Sequence, residues 1–297
     1  MKFIDGALVG KNKALRYVFG ITLIVFAYII GSTFLVADIA LNFPSETIPE
    51  TEHEIIDLLG KNRFLALVMI PFVLVFIALF FISTRVHERS FLRLISGREN
   101  IDFKRILYSF TVVVILQSVL LSIQIYFYPT IVFQFDFQKF VPLFKIAILL
   151  IPIQTTCEEL LFRGYIMQGL KLRTKNNLVA ILISGIMFGM VHIGNPEIEV
   201  IGYHIIVYYI SVGIFLGLIS YFDNGMELAI GYHAANNLFA ALMITTNWQV
   251  FQTDAVYIDN SPPQIGWDTV VGILVILPFL FLLFKRKFKW GKLTLNE

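Results

Sequence analysis

The chain contains eight long apolar stretches, each near the length of one membrane crossing. They occupy residues 17 to 37, 63 to 83, 106 to 128, 142 to 172, 178 to 193, 203 to 222, 228 to 246 and 269 to 284. A helix crosses the hydrocarbon core with about 20 apolar residues, whereas membrane β-barrels alternate over segments of about ten. Since 57% of the 297 residues are hydrophobic and 15% are charged, an ordinary soluble domain is excluded. The sequence predicts an all-α, polytopic membrane protein of about eight transmembrane helices.

The organisation of the chain is simple. We find no internal repeat, linker or low-complexity tract, and therefore expect a single membrane domain over residues 1–297. The net charge of +2 is too small to indicate a nucleic-acid partner. The single cysteine, Cys157, has no partner for an internal disulfide. The expected surroundings are the lipid bilayer.

The distribution of basic residues predicts the orientation in the cell membrane. Lysines and arginines gather before the first stretch, after the last one, in 84 to 105 and in the turn 171 to 175. Cytoplasmic loops carry this excess, so both termini are expected in the cytoplasm. The turn 223 to 227 is the weak point, because it holds Asp223 and Glu227 without a cation.

Ionisable residues lie inside three of the apolar stretches. An ionisable group in hydrocarbon is costly unless it is paired or faces a polar cavity. Counted from the inner surface, Glu158 lies about 20 Å deep, His192 about 22 Å, and His233 and Asn237 about 9 and 15 Å. The polar residues within these stretches are Glu158, Glu159 and Arg163 on one stretch, His192 on the next, and His233 with Asn237 on a third. We therefore expect the helices to surround a buried polar site.

A structural role competes with a functional one for each of these groups. Glu159 and Arg163 are four residues apart, which favours a buried ion pair that fixes helix packing and leaves Glu158 free, about 100° round the helix. Single histidines and asparagines often only bond neighbouring helices, but His192, His233 and Asn237 together with Glu158 are better explained as a site. We interpret Cys157 as packing. No role is assigned to the remaining histidines, His53, His87 and His204.

The motifs resemble those of a known family. Glu158-Glu159-x-x-x-Arg163, Phe188-x-x-x-His192 and His233-x-x-x-Asn237 occur in this order on separate apolar stretches. This pattern resembles the CPBP family, which comprises CAAX prenyl proteases of the Rce1 type and bacteriocin-processing or Abi proteins. The resemblance implies an intramembrane endopeptidase with a polar cavity open to the cytoplasm and a catalytic core over about 142–246. Motifs of zinc, aspartyl and rhomboid-type intramembrane proteases are absent from the sequence.

Two mechanisms are compatible with these residues. In the one we favour, Glu158 is the general base, His192 orients the water, and His233 and Asn237 bind the oxyanion. Glu159 and Arg163 then support Glu158. In the other, Glu158, His192 and His233 are ligands of a zinc ion with water at the fourth position. Zinc is the only cofactor that these residues suggest.

The substrate class and the use of the site stay open at this stage. The resemblance offers removal of a C-terminal tripeptide from prenylated proteins, leader-peptide processing or self-immunity against bacteriocins. The expected partner is a membrane-embedded or lipidated peptide or protein, and an unprenylated one is favoured. The main alternative is a non-catalytic membrane scaffold or immunity protein that keeps the fold. A proton-relaying transporter would show inverted repeats, and we find none.

Overall fold

Helices make up most of the chain in the computed structural model, which describes residues 1–44, 49 and 51–295. The α-helices are α1 Ala14–Asn42, α2 Glu52–Leu59, α3 Lys61–Phe81, α4 Leu92–Ile95, α5 Phe103–Phe127, α6 Phe137–Glu159, α7 Gln168–Thr174, α8 Asn177–Met190, α9 Pro196–Ile201, α10 Ile206–Phe222, α11 Glu227–Met243, α12 Trp267–Val271 and α13 Leu277–Lys287. Short 3₁₀ segments are Phe3–Leu8, Val191–Gly194 and Tyr203–Ile205. Turns of π-helix extend three helices, at Ile82–Val86, Leu160–Met167 and Gly272–Ile276.

Seven continuous helices in the described ranges are long and apolar enough to cross a membrane. They are Ala14–Asn42, Lys61–Val86, Phe103–Phe127, Phe137–Thr174, Asn177–Gly194, Tyr203–Phe222 and Thr269–Lys287. The eighth expected stretch, 228 to 246, forms α11, which has only 17 residues and rises about 26 Å. Most of its side chains are buried, because α11 packs against α5, α6 and α10. The all-α, multi-pass architecture is confirmed, with α11 as a short, enclosed helix.

The two ends of the bundle differ in structure and charge. We call the end that holds residues 1–16, 84–105, 171–176, 223–227 and 285–295 the basic end. The backbone N–H of Phe3 donates to Asn224 (2.6 Å), and the indole of Trp290 donates to Asp223 (2.8 Å). The first and last segments of the chain therefore meet at one turn, as an even number of helix passages requires.

The acidic turn that lacked a cation in the sequence is neutralised by another part of the chain. Arg98 forms ion pairs with Asp223 (3.2 Å) and Glu227 (3.0 Å). Arg105, at the start of α5, pairs with Asp223 as well. The side chains of Asp223 and Glu227 are at most 1% exposed, and a buried carboxylate requires such partners. This network ties the start of α11 to the loop 87–102.

The opposite end of the bundle, which we call the far end, is covered by loops. This end holds α2, α9 and residues 244–268. It also holds a small sheet of β1 Ile131–Phe133, β2 Ile244–Thr245 and β3 Tyr257–Asp259, of which β2 and β3 belong to residues 244–268. The order is β1-β3-β2. Strand β3 pairs antiparallel with β1 (Ile131 opposite Asp259) and parallel with β2 (Ile244 opposite Tyr257). The sheet joins the ends of α5 and α11, which helps to position α11.

Glycines allow α8 and α10 to approach closely. A Cβ atom at Gly213 would lie 2.5 Å from the carbonyl oxygen of Gly185, and one at Gly185 would lie 2.7 Å from the backbone nitrogen of Ile214. A second glycine follows four residues later on each helix, Gly189 on α8 and Gly217 on α10. This spacing of small residues is typical of contacts between membrane helices. Because α8 carries His192 towards the centre, this contact positions one part of the candidate site.

His87, to which the sequence assigns no role, is buried. Its exposed fraction is 0%. The ring lies between the hydroxyl of Tyr165 (Nε2, 3.1 Å) and the carbonyl oxygen of Lys11 (Nδ1, 2.8 Å). Burial lowers the pKa of His87, although the carbonyl of Lys11 acts in the opposite direction. The histidine is therefore a structural part of the basic end.

Candidate active site

The two adjacent glutamates at the end of α6 point to different surroundings. Neighbouring residues of a helix lie about 100° apart, so one carboxylate enters the protein interior and the other faces a cavity. The side chain of Glu159 is 0% exposed and that of Glu158 is 13% exposed. A π-helical turn, Leu160–Met167, begins directly after them, and such turns occur frequently at functional sites.

Glu159 and Arg163 form a fully enclosed ion pair. Their side chains are 0% exposed, with 3.2 Å between Arg163 Nη1 and Glu159 Oε1. The guanidinium also donates to the carbonyl oxygen of Gly213 on α10 (3.0 Å) and lies 4.4 Å from the ring centroid of Phe188 on α8. The pair therefore connects α6, α8 and α10 on the side of Glu158 that faces the basic end.

His233 bridges the two glutamates. Its Nδ1 lies 2.9 Å from Glu159 Oε1, and its Nε2 lies 3.5 Å from Glu158 Oε2. A carboxylate only accepts hydrogen bonds, so we assign the proton to Nδ1, which donates to Glu159. Glu158 Oε2 accepts no hydrogen bond from any described residue. The ion pair thus orients His233, and His233 in turn faces the free oxygen of Glu158.

A chain of hydrogen-bonded side-chain amides holds Glu158 from the other side. Of its members, only Asn237 was predicted from the sequence. Gln154 lies one turn before Glu158 and donates to its Oε1 (2.6 Å). Asn237 donates to Gln154 Oε1 (3.2 Å). Asn236 and Gln117 on α5 extend the chain. The sequence signal is the spacing of four between Gln154 and Glu158, but the link to Asn237 depends on how α6 packs against α11.

His192 lies on a 3₁₀ turn, Val191–Gly194, at the far end of α8. Its Nδ1 lies 2.7 Å from the carbonyl oxygen of Phe188, which only accepts, so Nδ1 is the donor and Nε2 is left available. The ring stacks on Tyr209 with centroids 4.2 Å apart. The hydroxyl of Tyr209 bonds Glu197. Ring stacking and the two hydrogen bonds therefore fix the orientation of His192.

One cavity of about 360 Å³ brings the predicted residues together. Its walls come from α1, α3, α6, α8, α10, α11 and two far-end loops, and its polar lining includes Gln154, Glu158, His192, Glu197, His233 and Asn237. Glu159 and Arg163 lie outside it as a buried support. The cavity also reaches Tyr28, which is 48% exposed on the membrane-facing helix α1. The arrangement combines a carboxylate, two imidazoles and amides around a space that is large enough for a peptide backbone.

The fit to a zinc ion is poor. In residues 1–44, 49 and 51–295, no group of three or more His, Cys, Asp or Glu side chains has the arrangement of a metal site. The contacts of the two histidines do not decide the question, because Nδ1 of His233 is bonded to Glu159 and Nδ1 of His192 to a backbone carbonyl, which leaves Nε2 free in both rings; the poor fit rests on the arrangement of the side chains. We therefore derive no catalytic step through a metal.

Comparison with known proteins agrees with the motifs. Residues 137–239 match the family described as Type II CAAX prenyl endopeptidase Rce1-like. This segment includes all residues of the three motifs and confirms the resemblance to the CPBP family. The chain is also 29% identical over 277 residues, 91% of each chain, to a protein of Bacillus subtilis (strain 168) named uncharacterized protein YyaK. The likeness to this relative thus extends well beyond the segment that carries the motifs.

Proposed function

We propose that the protein is an intramembrane endopeptidase that hydrolyses a peptide bond in a membrane-associated or lipidated protein or peptide. The main support is the shared cavity, which places Glu158, His192, His233 and Asn237 around one space inside a multi-pass membrane protein. The match of residues 137–239 to a prenyl endopeptidase family supports proteolysis at the level of the family.

In the proposed mechanism, Glu158 is the general base. Its Oε2 has no hydrogen-bond donor among the described residues, so it is available to accept a proton from water. The water, which His192 orients through Nε2, then attacks the carbonyl carbon of the substrate with its oxygen. As the C–N bond breaks, the proton passes from Glu158 to the leaving amine.

The oxyanion of the tetrahedral intermediate needs hydrogen-bond donors inside the cavity. Asn237 has two N–H groups on its amide, of which one is engaged with Gln154. The other is available for the substrate. His233 is the second proposed contact of the oxyanion, and Glu159 fixes its orientation through Nδ1. Donors that are held in place before the reaction stabilise the transition state without reorganisation.

The surroundings of the cavity favour a substrate that comes from the membrane. The half-exposed Tyr28 on α1 contributes to the lining, so the cavity extends to the lipid-facing surface. We favour an unprenylated peptide or membrane protein, with processing of the CAAX type, a leader or a bacteriocin as the candidate reactions.

The experiment compares new peptide termini in cells that carry the wild type, Glu158→Gln or Glu199→Gln. Glu199 is an exposed carboxylate at the far end, so its substitution is a matched control for the chemical change. We expect termini that occur with the wild type and with Glu199→Gln and disappear with Glu158→Gln at equal protein abundance. Identical termini in all three strains, under envelope stress and with bacteriocin as well, would contradict proteolysis and favour the scaffold or immunity protein.

A further inference from the structure

The candidate cavity and the chain termini lie at opposite ends of the bundle. The lining includes Asn195 before α9, Glu197 within α9, and Gln249 to Phe251 in the loop after α11. All of these belong to the far end. No described residue of the loop 87–102, the turn 175–176 or the turn 223–226 lines it. Gln249 and Val250 are exposed, and they therefore mark the mouth of the cavity.

The interior is closed on the side of the basic end. There, Glu159 and Arg163 are 0% exposed, and Phe162 and Phe188 are 3% and 2% exposed. The two phenylalanine rings pack edge to face, with their centroids 5.3 Å apart. The ion pair and the two rings are therefore buried beneath Glu158, on the side of the basic end.

The positions of the site residues along their helices agree with this opening. His192 lies two residues before the last residue of the segment Asn177–Gly194. Asn237 is six residues, about 9 Å, before the end of α11 at Met243. Measured from the basic end, His192 is about 22 Å deep. Along α8 the site is therefore much closer to the far-end loops, whereas His233 and Asn237, about 9 and 15 Å from the start of α11, lie near the middle of that helix.

The charges assign the two ends to the two sides of the membrane. Only five of the 23 lysines and arginines lie elsewhere than at the basic end: Lys61, Arg63, Lys139, Lys145 and the buried Arg163. Short loops with most of the lysines and arginines stay in the cytoplasm. If the basic end lay outside the cytoplasm, the three segments 87–102, 171–176 and 285–292 would all violate this rule.

We infer that the active-site cavity opens to the side of the membrane opposite the cytoplasm, and that the substrate is a peptide segment exposed there. The inference rests on the proposed function for the substrate, but its geometric part is independent of catalysis. It differs from what the family resemblance implies, which is a cavity that opens to the cytoplasm. The substrates are then exported peptides or the outer segments of membrane proteins.

The first test measures the orientation of the cavity mouth without any substrate. Gln249→Cys places a thiol at the mouth, and Lys292→Cys places one at the basic end, where the side chain is also exposed. The native Cys157 is 1% exposed, so the unmodified chain is the blank. A membrane-impermeant maleimide added to intact spheroplasts should label Gln249→Cys, and should label Lys292→Cys only after lysis. The reverse pattern would overturn the inference.

The second test uses the positions of Glu158-dependent cuts. We expect them in segments that lie outside the cytoplasm or in the outer half of a transmembrane helix. Cuts in cytoplasmic segments would refute the inferred substrate class while the proposed protease activity stands. If no Glu158-dependent cuts exist, the proposed function fails together with the substrate class, and maleimide labelling alone decides which way the cavity opens.

Discussion

Loss of the arginine from the buried ion pair should destabilise the protein strongly. Arg163→Met leaves the carboxylate of Glu159, which is 0% exposed, without its cation and removes the hydrogen bond to Gly213 on α10. Removal of one partner from a buried pair typically costs about 3–5 kcal/mol, because an uncompensated charge remains. Replacement of both partners is often nearly neutral. We therefore expect Arg163→Met to lose about 3–5 kcal/mol and Glu159→Gln/Arg163→Met to lose much less.

The assay is reversible unfolding in mixed micelles with increasing SDS, followed by far-UV circular dichroism. Arg173→Met is the matched control, because Arg173 is exposed on α7 and should change stability by no more than about 0.5 kcal/mol. In the double variant, the amide oxygen that replaces the carboxylate at position 159 can still accept the hydrogen bond from His233. A loss of under about 1 kcal/mol for Arg163→Met, below the typical range for a buried pair, would refute the reasoning. So would a double variant whose loss equals that of the two single variants added together.

Three further predictions follow from the site and its supports. Asn237→Ala should raise the activation free energy by about 3–4 kcal/mol, at least a hundredfold in kcat, and unchanged turnover would remove the oxyanion role. Since burial lowers the pKa of His87, its contribution to the free energy of unfolding should be fully present above about pH 6.5 and be lost as the pH decreases. In melting curves, the melting temperature of His87→Gln should fall less with decreasing pH than that of the wild type. Gly213→Ala should force α8 and α10 apart and cost about 1–3 kcal/mol in the same SDS assay, whereas wild-type stability would contradict close packing there.

The membrane fold and the convergence of the motifs were predictable because their signals are local. Length and hydropathy identify each helix, and an ionisable residue such as Glu158 inside hydrocarbon requires a special environment wherever it occurs. Depth along each helix then suggests that three polar groups meet. The short helix α11 belongs to the same pattern, although its enclosure by other helices is a property of the assembled bundle.

Features that depend on packing between distant segments could not be predicted. The bond from Asn237 to Gln154 joins residues 83 positions apart, and His87 is buried because Tyr165 and Lys11 come from other segments. The small sheet pairs β1 with β3, which lies over 100 residues later in the chain, and its strands have only two or three residues each. The direction in which the cavity opens likewise follows from side-chain packing beneath Glu158, which hydropathy does not report.

The most direct test of the central claim uses purified protein in liposomes and a substrate identified from the Glu158-dependent termini. The rate of peptide-bond cleavage is compared for wild type, Glu158→Gln and Glu199→Gln at equal folded fraction, as judged by SDS unfolding. We predict that Glu158→Gln abolishes cleavage, because the base that accepts the proton of water is lost, and that Glu199→Gln cleaves at the wild-type rate. Cleavage by Glu158→Gln at the wild-type rate would contradict the account.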